Sequence, residues 1–233
     1  MITSPANPRL KLIKRLQSRR QRERLGLFVC EGEDLVEAGR AAGAEPAELL
    51  IAGEDVEPEL LADVSTLAHP PRVVAVFRRA DLPAAMDESA GLALWRVADP
   101  GNVGTLLRAA DAFGAAVFLS AGCADPTGPK ALRASVGSVF RVPTGRFEDA
   151  PGRRIALVPR GAVKLGDLDL SRPVTFVLGA EREGLPENIV AACDATASIP
   201  LEEGAESLNV AVAGAIALYS THIRPQDEGG NDG

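Results

Sequence analysis

The chain has 233 residues, of which 46% are hydrophobic, 24% charged and only 4% aromatic, and its formal net charge is −7. That length fits one large or two small domains, and the apolar fraction is ample to bury a core, which excludes collagen-like, disulfide-framework and wholly disordered classes. No run approaches the roughly 18 apolar residues that span a bilayer, and the N-terminal MITSPANPRLKLIKRLQSRR lacks an apolar signal core, so a soluble, cytoplasmic protein with no membrane partner is expected.

In chain order, the first 24 residues hold Arg9, Lys11, Lys14, Arg15, Arg19, Arg20, Arg22 and Arg24 against the single acid Glu23. The block carries +7 and leaves −14 for residues 25–233. Leu10, Leu12, Ile13 and Leu16 follow helical spacing, so the segment reads as one amphipathic basic helix. Such a block neutralises phosphates and releases their counterions, giving salt-sensitive RNA binding. A solvated face that serves only solubility fits the same residues equally well. A membrane-surface or calmodulin-target helix fits less well, because the apolar face is short and lacks aromatics.

Strand 27–30, helix 31–43 ending at Gly43, strand 47–53, helix 57–68 and strand 72–79 complete a small α/β unit. The segment ADLPAAMDESAG (80–91) reads as a linker. A longer alternation follows: strand 91–99, helix 102–114 stopped by Gly114, strand 116–122, helix 129–137 and strand 139–143. It continues through strands 155–161 and 174–180, a short helix 185–194, strand 196–201 and a long terminal helix 207–223. Apolar strands alternating with helices predict a mostly parallel sheet covered on both faces. The polar, Gly-rich 225–233 reads as a disordered tail.

The chemistry is narrowed by what is scarce. Two histidines (His69, His222) and three distant cysteines (Cys30, Cys123, Cys193) argue against a metal site, a disulfide framework and histidine-based catalysis. Cys123 reads as an incidental buried thiol rather than a nucleophile. No G-x-G-x-x-G follows a strand and no phosphate-binding G-x-x-x-x-G-K-[ST] occurs, so nicotinamide and P-loop chemistry are excluded.

Ligands of open parallel sheets bind beyond the carboxyl ends of the strands, where three loops carry polar or Gly-rich groups: DPGNVGTLLR, LGAEREGLP and IPLEEGAESLN. The spacing of Asn102 from Arg108 suits no whole number of helical turns, so Asn102 is assigned to the loop. Gly179 and Gly184 flank Glu181 in a turn that backbone can approach closely. Ser207 is an N-cap candidate for the terminal helix, with Leu208 and Asn209 in its first turn. Taken singly, each loop is better explained by ordinary turn chemistry.

Taken together, GNVGTLLRAADAFGA, FVLGAEREGLP and SIPLEEGAESLNVAVAGAIALY resemble, in order and spacing, the three signature motifs of the SpoU-type RNA ribose 2'-O-methyltransferases of the SPOUT superfamily. PKALRASVGSVFRVP is similar to the family segment between the first two motifs, and SPANPRLKLIKRLQSRRQRERLGLFVCEG to the substrate-binding domain that precedes many members. The resemblance implies an RNA substrate-binding domain at 1–85 and a methyltransferase domain with a C-terminal trefoil knot at 90–224. It implies S-adenosylmethionine as cofactor, held by Gly179, Ile199, Leu201, Ser207 and Leu208, and no metal. Arg108, Asn102, Glu181, Ser207 and Asn209 match the polar positions of the family's catalytic site, Arg108 being the central one.

The RNA contacts implied are Arg9, Lys11, Arg15, Arg19, Arg20 and Arg22. Ribosomal RNA of the 23S type is the expected substrate, with tRNA, or a non-catalytic assembly factor, as the alternatives. Members pair as homodimers through the terminal helix. Ala211, Ala213, Gly214, Ala215 and Ala217 suit either that interface or packing within one subunit. Leu201 stands where the family more often has Met, a change that conserves volume.

Overall fold

The computed structural model describes residues 1–86, 88–160 and 163–222. In chain order the elements are α1 (Pro8–Leu16), α2 (Arg19–Leu25), β1 (Leu27–Glu31), α3 (Glu33–Ala41), β2 (Glu48–Ile51), α4 (Pro58–Ala62) and β3 (Val73–Arg78). Then come β4 (Ala90–Leu94), α5 (Pro100–Ala112), β5 (Ala116–Leu119), α6 (Pro129–Ser135), β6 (Thr144–Arg146) and β7 (Arg153–Leu157). The chain closes with β8 (Val163–Lys164), β9 (Val174–Leu178), α7 (Glu187–Ala191), β10 (Ala195–Ser198) and α8 (Val210–Ser220). They form two compact units, the first from residues 1–84, 99–108 and 124–143, the second from 85–98, 109–123 and the chain from Thr144 on. The tail expected at 225–233 lies outside the described residues.

In the first unit β3 runs between β1 and β2, antiparallel to both, and its residues Val73–Phe77 are all buried. Asn7 caps α1 by accepting from the Arg9 amide at 2.9 Å, with Pro8 preset in the first turn. Leu10, Ile13 and Leu16 then line up on one face and pack against Val29, Leu50, Val74 and Val76. Lys11, Lys14 and Arg15 are left exposed.

The single basic helix expected over 1–24 is broken into two, and Arg22 is the reason. Its Nη1 donates to the carbonyls of Leu16 and Gln17, both at 2.9 Å, where the end of α1 leaves acceptors unpaired. Its Nε and Nη2 both reach Asp125 Oδ2 at 2.8 Å. Asp125 also receives the Thr127 amide (3.0 Å) and hydroxyl (2.8 Å), and Arg79 Nη2 lies 3.3 Å from its other oxygen. This buried carboxylate ties the N-terminal stretch to residues 124–143. Burial pushes the Asp125 carboxyl up, but the Arg79 charge, the Thr127 hydrogen bonds and the Arg22 charge outweigh it and hold it below the usual carboxylate range.

Two further boundaries move for local reasons. The helix expected to reach residue 68 stops at Ala62, and Ser65 and Thr66 instead donate to the Glu31 carboxylate. The strand expected at 139–143 is a 3₁₀ turn over Ser138–Phe140. There Phe140 turns inward onto Phe28 and Phe77, with ring centroids 5.8 and 5.0 Å away.

The second unit is a seven-stranded sheet in the order β6-β5-β4-β9-β7-β10-β8, and every pairing in it is parallel. Its adjacent strands β4 and β9 bury all five residues each, as in a sheet covered on both faces, and their one polar side chain, Thr175, donates its hydroxyl to the Pro151 carbonyl at 2.7 Å.

Asp125→Asn should destabilise the protein by about 3–5 kcal/mol in urea unfolding, because it leaves the buried Arg22 without its counter-charge. Since the folded Asp125 carboxyl lies below its unfolded value of about 3.9, its contribution is complete above that value and is lost as pH falls through the folded one. The gap between wild type and Asp125→Asn should therefore narrow below about pH 4.

Candidate active site

The start of α5 is set by Asp99. Its Oδ1 accepts from the amides of Gly101 (2.6 Å) and Asn102 (3.1 Å), and its Oδ2 pairs with Lys130 Nζ of α6 at 2.9 Å. The Lys130 bond, followed by the Asn102 amide, holds the Asp99 carboxyl below its usual range. Because Asp99 supplies the cap, Asn102 stands in the first turn of α5 and not in the preceding loop. The Asp-Pro pair at residues 99–100 is the sequence signal for this start. At Gly104 a Cβ would strike the Ala131 carbonyl and come within 2.6 Å of Ala134 Cβ, so α5 packs on α6 with backbones nearly touching. Arg108 is exposed, and among the described residues its guanidinium has no ion pair or hydrogen bond.

The other predicted site residues stand in the second unit, on loops leaving the carboxyl edge of the parallel sheet. After β9, Ala180 and Gly184 form an antiparallel bridge, the Gly184 amide donating to the Ala180 carbonyl at 2.9 Å. A Cβ at Gly179 would run into the backbone of Gly184 and Leu185, so only glycine permits this closure. Glu181 is carried exposed at the tip of the loop. After β10, Ile199 and Leu201 are half-buried. The exposed stretch that follows is held by Arg160, whose Nη2 donates to the Ala205 carbonyl at 3.2 Å.

Ser207 is not the cap of the terminal helix. Asn209 is: its Oδ1 accepts from the amides of Ala211 (2.8 Å) and Val212 (3.4 Å), and α8 starts at Val210. Ser207 and Leu208 therefore precede the helix, with Leu208 36% exposed. The buried side chains Val210 and Ala211 fix that start, a constraint that cap preference alone does not carry. α8 packs on β4 and β9, with Ala211, Gly214 and Ala217 buried within this unit.

Of the predicted RNA contacts, Lys11, Arg15 and Arg20 are exposed on α1 and α2. Arg19 is exposed and pairs with Glu23 at 2.8 Å, while Arg9 is committed to Glu48 (2.6 Å) and the Leu49 carbonyl (2.8 Å). Arg22 is a correction: at 4% exposure, and occupied by Asp125 and two carbonyls, it has no face to offer a phosphate.

Residues 89–219 match the SpoU rRNA Methylase family, and residues 7–79 match the MRM3-like substrate binding domain. The chain belongs to the SpoU rRNA methylase family. It is similar to an uncharacterised tRNA/rRNA methyltransferase of Synechocystis, 33% identical over 94% of this chain and 92% of that one. It is also similar to a 23S rRNA guanosine 2'-O-methyltransferase of Bacillus subtilis, 31% identical over 96% of this chain and 98% of the relative. Among solved structures it resembles an AdoMet-bound rRNA methyltransferase from Sinorhizobium meliloti, with a TM-score of 0.85 and 30% identity over 96% and 98% of the two chains. No helix among the described residues is long and apolar enough to cross a membrane.

Gly179→Ala should open the 179–185 loop. The expected result is at least a tenfold loss of S-adenosylmethionine affinity in calorimetry, with the far-UV circular dichroism of the sheet retained.

Proposed function

We propose that this SpoU-family enzyme transfers the methyl group of S-adenosylmethionine to a ribose 2'-hydroxyl of RNA, and that the RNA is a large ribosomal RNA of the 23S type. The observation that carries this reading is the full-length likeness to the Bacillus subtilis 23S enzyme, which spans the substrate-binding segment as well as the catalytic one. A tRNA substrate is the second reading, favoured by the double name of the Synechocystis relative.

The residues fit the cofactor. Ile199, Leu201 and Leu208 offer apolar walls to a flat adenine. The 179–185 loop, closed backbone to backbone, offers peptide groups at the same sheet edge as those walls. When bound, the cofactor supplies an electrophilic methyl on a sulfonium.

A ribose hydroxyl is a weak nucleophile, so the protein's task is to hold it in line. Arg108 does this by clamping a neighbouring phosphate. A guanidinium has no lone pair free to accept a proton and so is no general base; the proton leaves late, to water or to the phosphate itself. Asn102 orients the same helix face, and Glu181 and Ser207 present their polar groups from the loops. Asn209 is a positioning residue, acting through the helix it caps. Lys11, Arg15 and Arg20, with Lys14 and Arg24, meet the RNA backbone. The chain's poverty in aromatics favours recognition by charge and shape over base stacking.

The trefoil knot of the superfamily and a homodimer belong to the same reading. In support of the dimer, α8 exposes Val212 (47%) and Tyr219 (52%) two turns apart on one face.

Calorimetric titration with S-adenosylmethionine, followed by labelled-methyl transfer to total RNA, tests the reading. Binding and label in large ribosomal RNA are expected. Label in tRNA overturns the substrate, and absence of binding overturns the chemistry. Arg108→Ala should lower kcat by at least about 100-fold with cofactor affinity unchanged. Val212→Lys should convert the dimer to a monomer in sedimentation equilibrium.

A further inference from the structure

Arg96 occupies a backbone conformation that suits glycine. Its φ is 54°, one of two positive values at non-glycine residues in the described chain. It lies two residues beyond the end of β4, at the carboxyl edge of the second unit's sheet. The surrounding backbone is firmly held. The Trp95 amide donates to the Leu178 carbonyl (2.8 Å), the Arg96 amide to Ser120 Oγ (2.8 Å) and the Ser120 amide to the Leu94 carbonyl (3.0 Å). Cys123 Sγ donates to that same Leu94 carbonyl at 3.2 Å.

Only one of these bonds is made by Arg96, through its main-chain amide, and all of them would survive with glycine in its place, so they do not explain why the position carries a long cation. The side chain is exposed and lies along Gly122, where a Cβ would sit 3.4 Å from Arg96 Cγ and 3.5 Å from its Nε. Among the described residues its guanidinium meets no carboxylate within ion-pair distance. A cation lying along a glycine, on a strained and firmly held backbone and with no carboxylate beside it, at the edge where ligands of parallel sheets bind, is placed to receive an anion.

We propose that Arg96 binds a phosphodiester of the substrate RNA and thereby positions the strand for methyl transfer, an assignment that rests on the RNA methyltransferase reading above. A guanidinium suits this role because its planar donor fork matches a phosphate's oxygens. The cofactor's carboxylate is the other anion present, and the two are separable by experiment.

The test compares full-length wild type, Arg96→Gly and Arg96→Lys. Anisotropy with a labelled ribosomal RNA transcript, across a salt series and without turnover, gives affinity and salt slope; calorimetry gives cofactor affinity; a melting scan gives Tm. For Arg96→Gly we expect RNA affinity to fall several-fold and the slope of log K against log salt to drop by about one. Cofactor affinity should be unchanged, and Tm unchanged or raised as the left-handed residue becomes glycine. Arg96→Lys should keep the wild-type slope. Unchanged RNA affinity and slope in Arg96→Gly overturns the proposal, as does a loss confined to cofactor affinity, which assigns the residue to the carboxylate. Failure of the wild type itself to methylate RNA overturns the underlying reading instead, and is seen before any variant is compared.

Discussion

A parallel strand releases the chain at its carboxyl end, and the chain must cross back outside the sheet before the next strand begins. In the second unit seven strands obey this rule together. The loops after β4, β9 and β10 therefore leave from one edge however far apart they are in sequence. Gly179, Ile199, Arg96 and the residues leading into α8 reach that edge for the same topological reason. The apolar runs that specify the strands thus also specify where polar side chains gather, and the site needs no structure of its own beyond loop closure.

Closure is achieved with few atoms. Gly179 lets one turn of backbone fold onto another, and Gly104 brings α5 against α6. Both are places where a single methyl group would collide with main chain rather than with a side chain able to move aside. In the first unit the equivalent economy is Asp125. Its carboxylate gathers Arg22, Arg79 and Thr127 from three stretches of chain, so that a loop far along the sequence is fixed to the N-terminal segment. A buried pair of this kind is costly to desolvate and contributes little net stability. What it specifies is registry: a shifted loop would strand a charge.

Much of this was legible in the residues. The strand-helix alternation gave the parallel sheet, and the three polar loops, read jointly, gave the family. What escaped the reading has a common physical character, namely competition between local signals settled by contacts distant in sequence. Ser207 and Asn209 are comparable caps, and the buried Val210 and Ala211 decide between them. Arg22 looks like its basic neighbours until Asp125, 103 residues later, claims it. Phe140 sits in a run with strand character, but two phenylalanines from elsewhere in the unit draw it into a turn. Asp99 is the exception, since its cap is written locally in the Asp-Pro pair, a stronger signal than the Asn102–Arg108 spacing.

Trp95 is the chain's single tryptophan. Its ring meets Phe147 edge-on with centroids 5.1 Å apart, and it packs in the cluster that includes Leu185 and Ile189, the residues that follow the closed 179–184 turn. Indole emission shifts with the polarity and rigidity of its surroundings. The protein thus contains its own optical probe beside the loop that closes on itself, and movement there becomes visible by fluorescence without any added label.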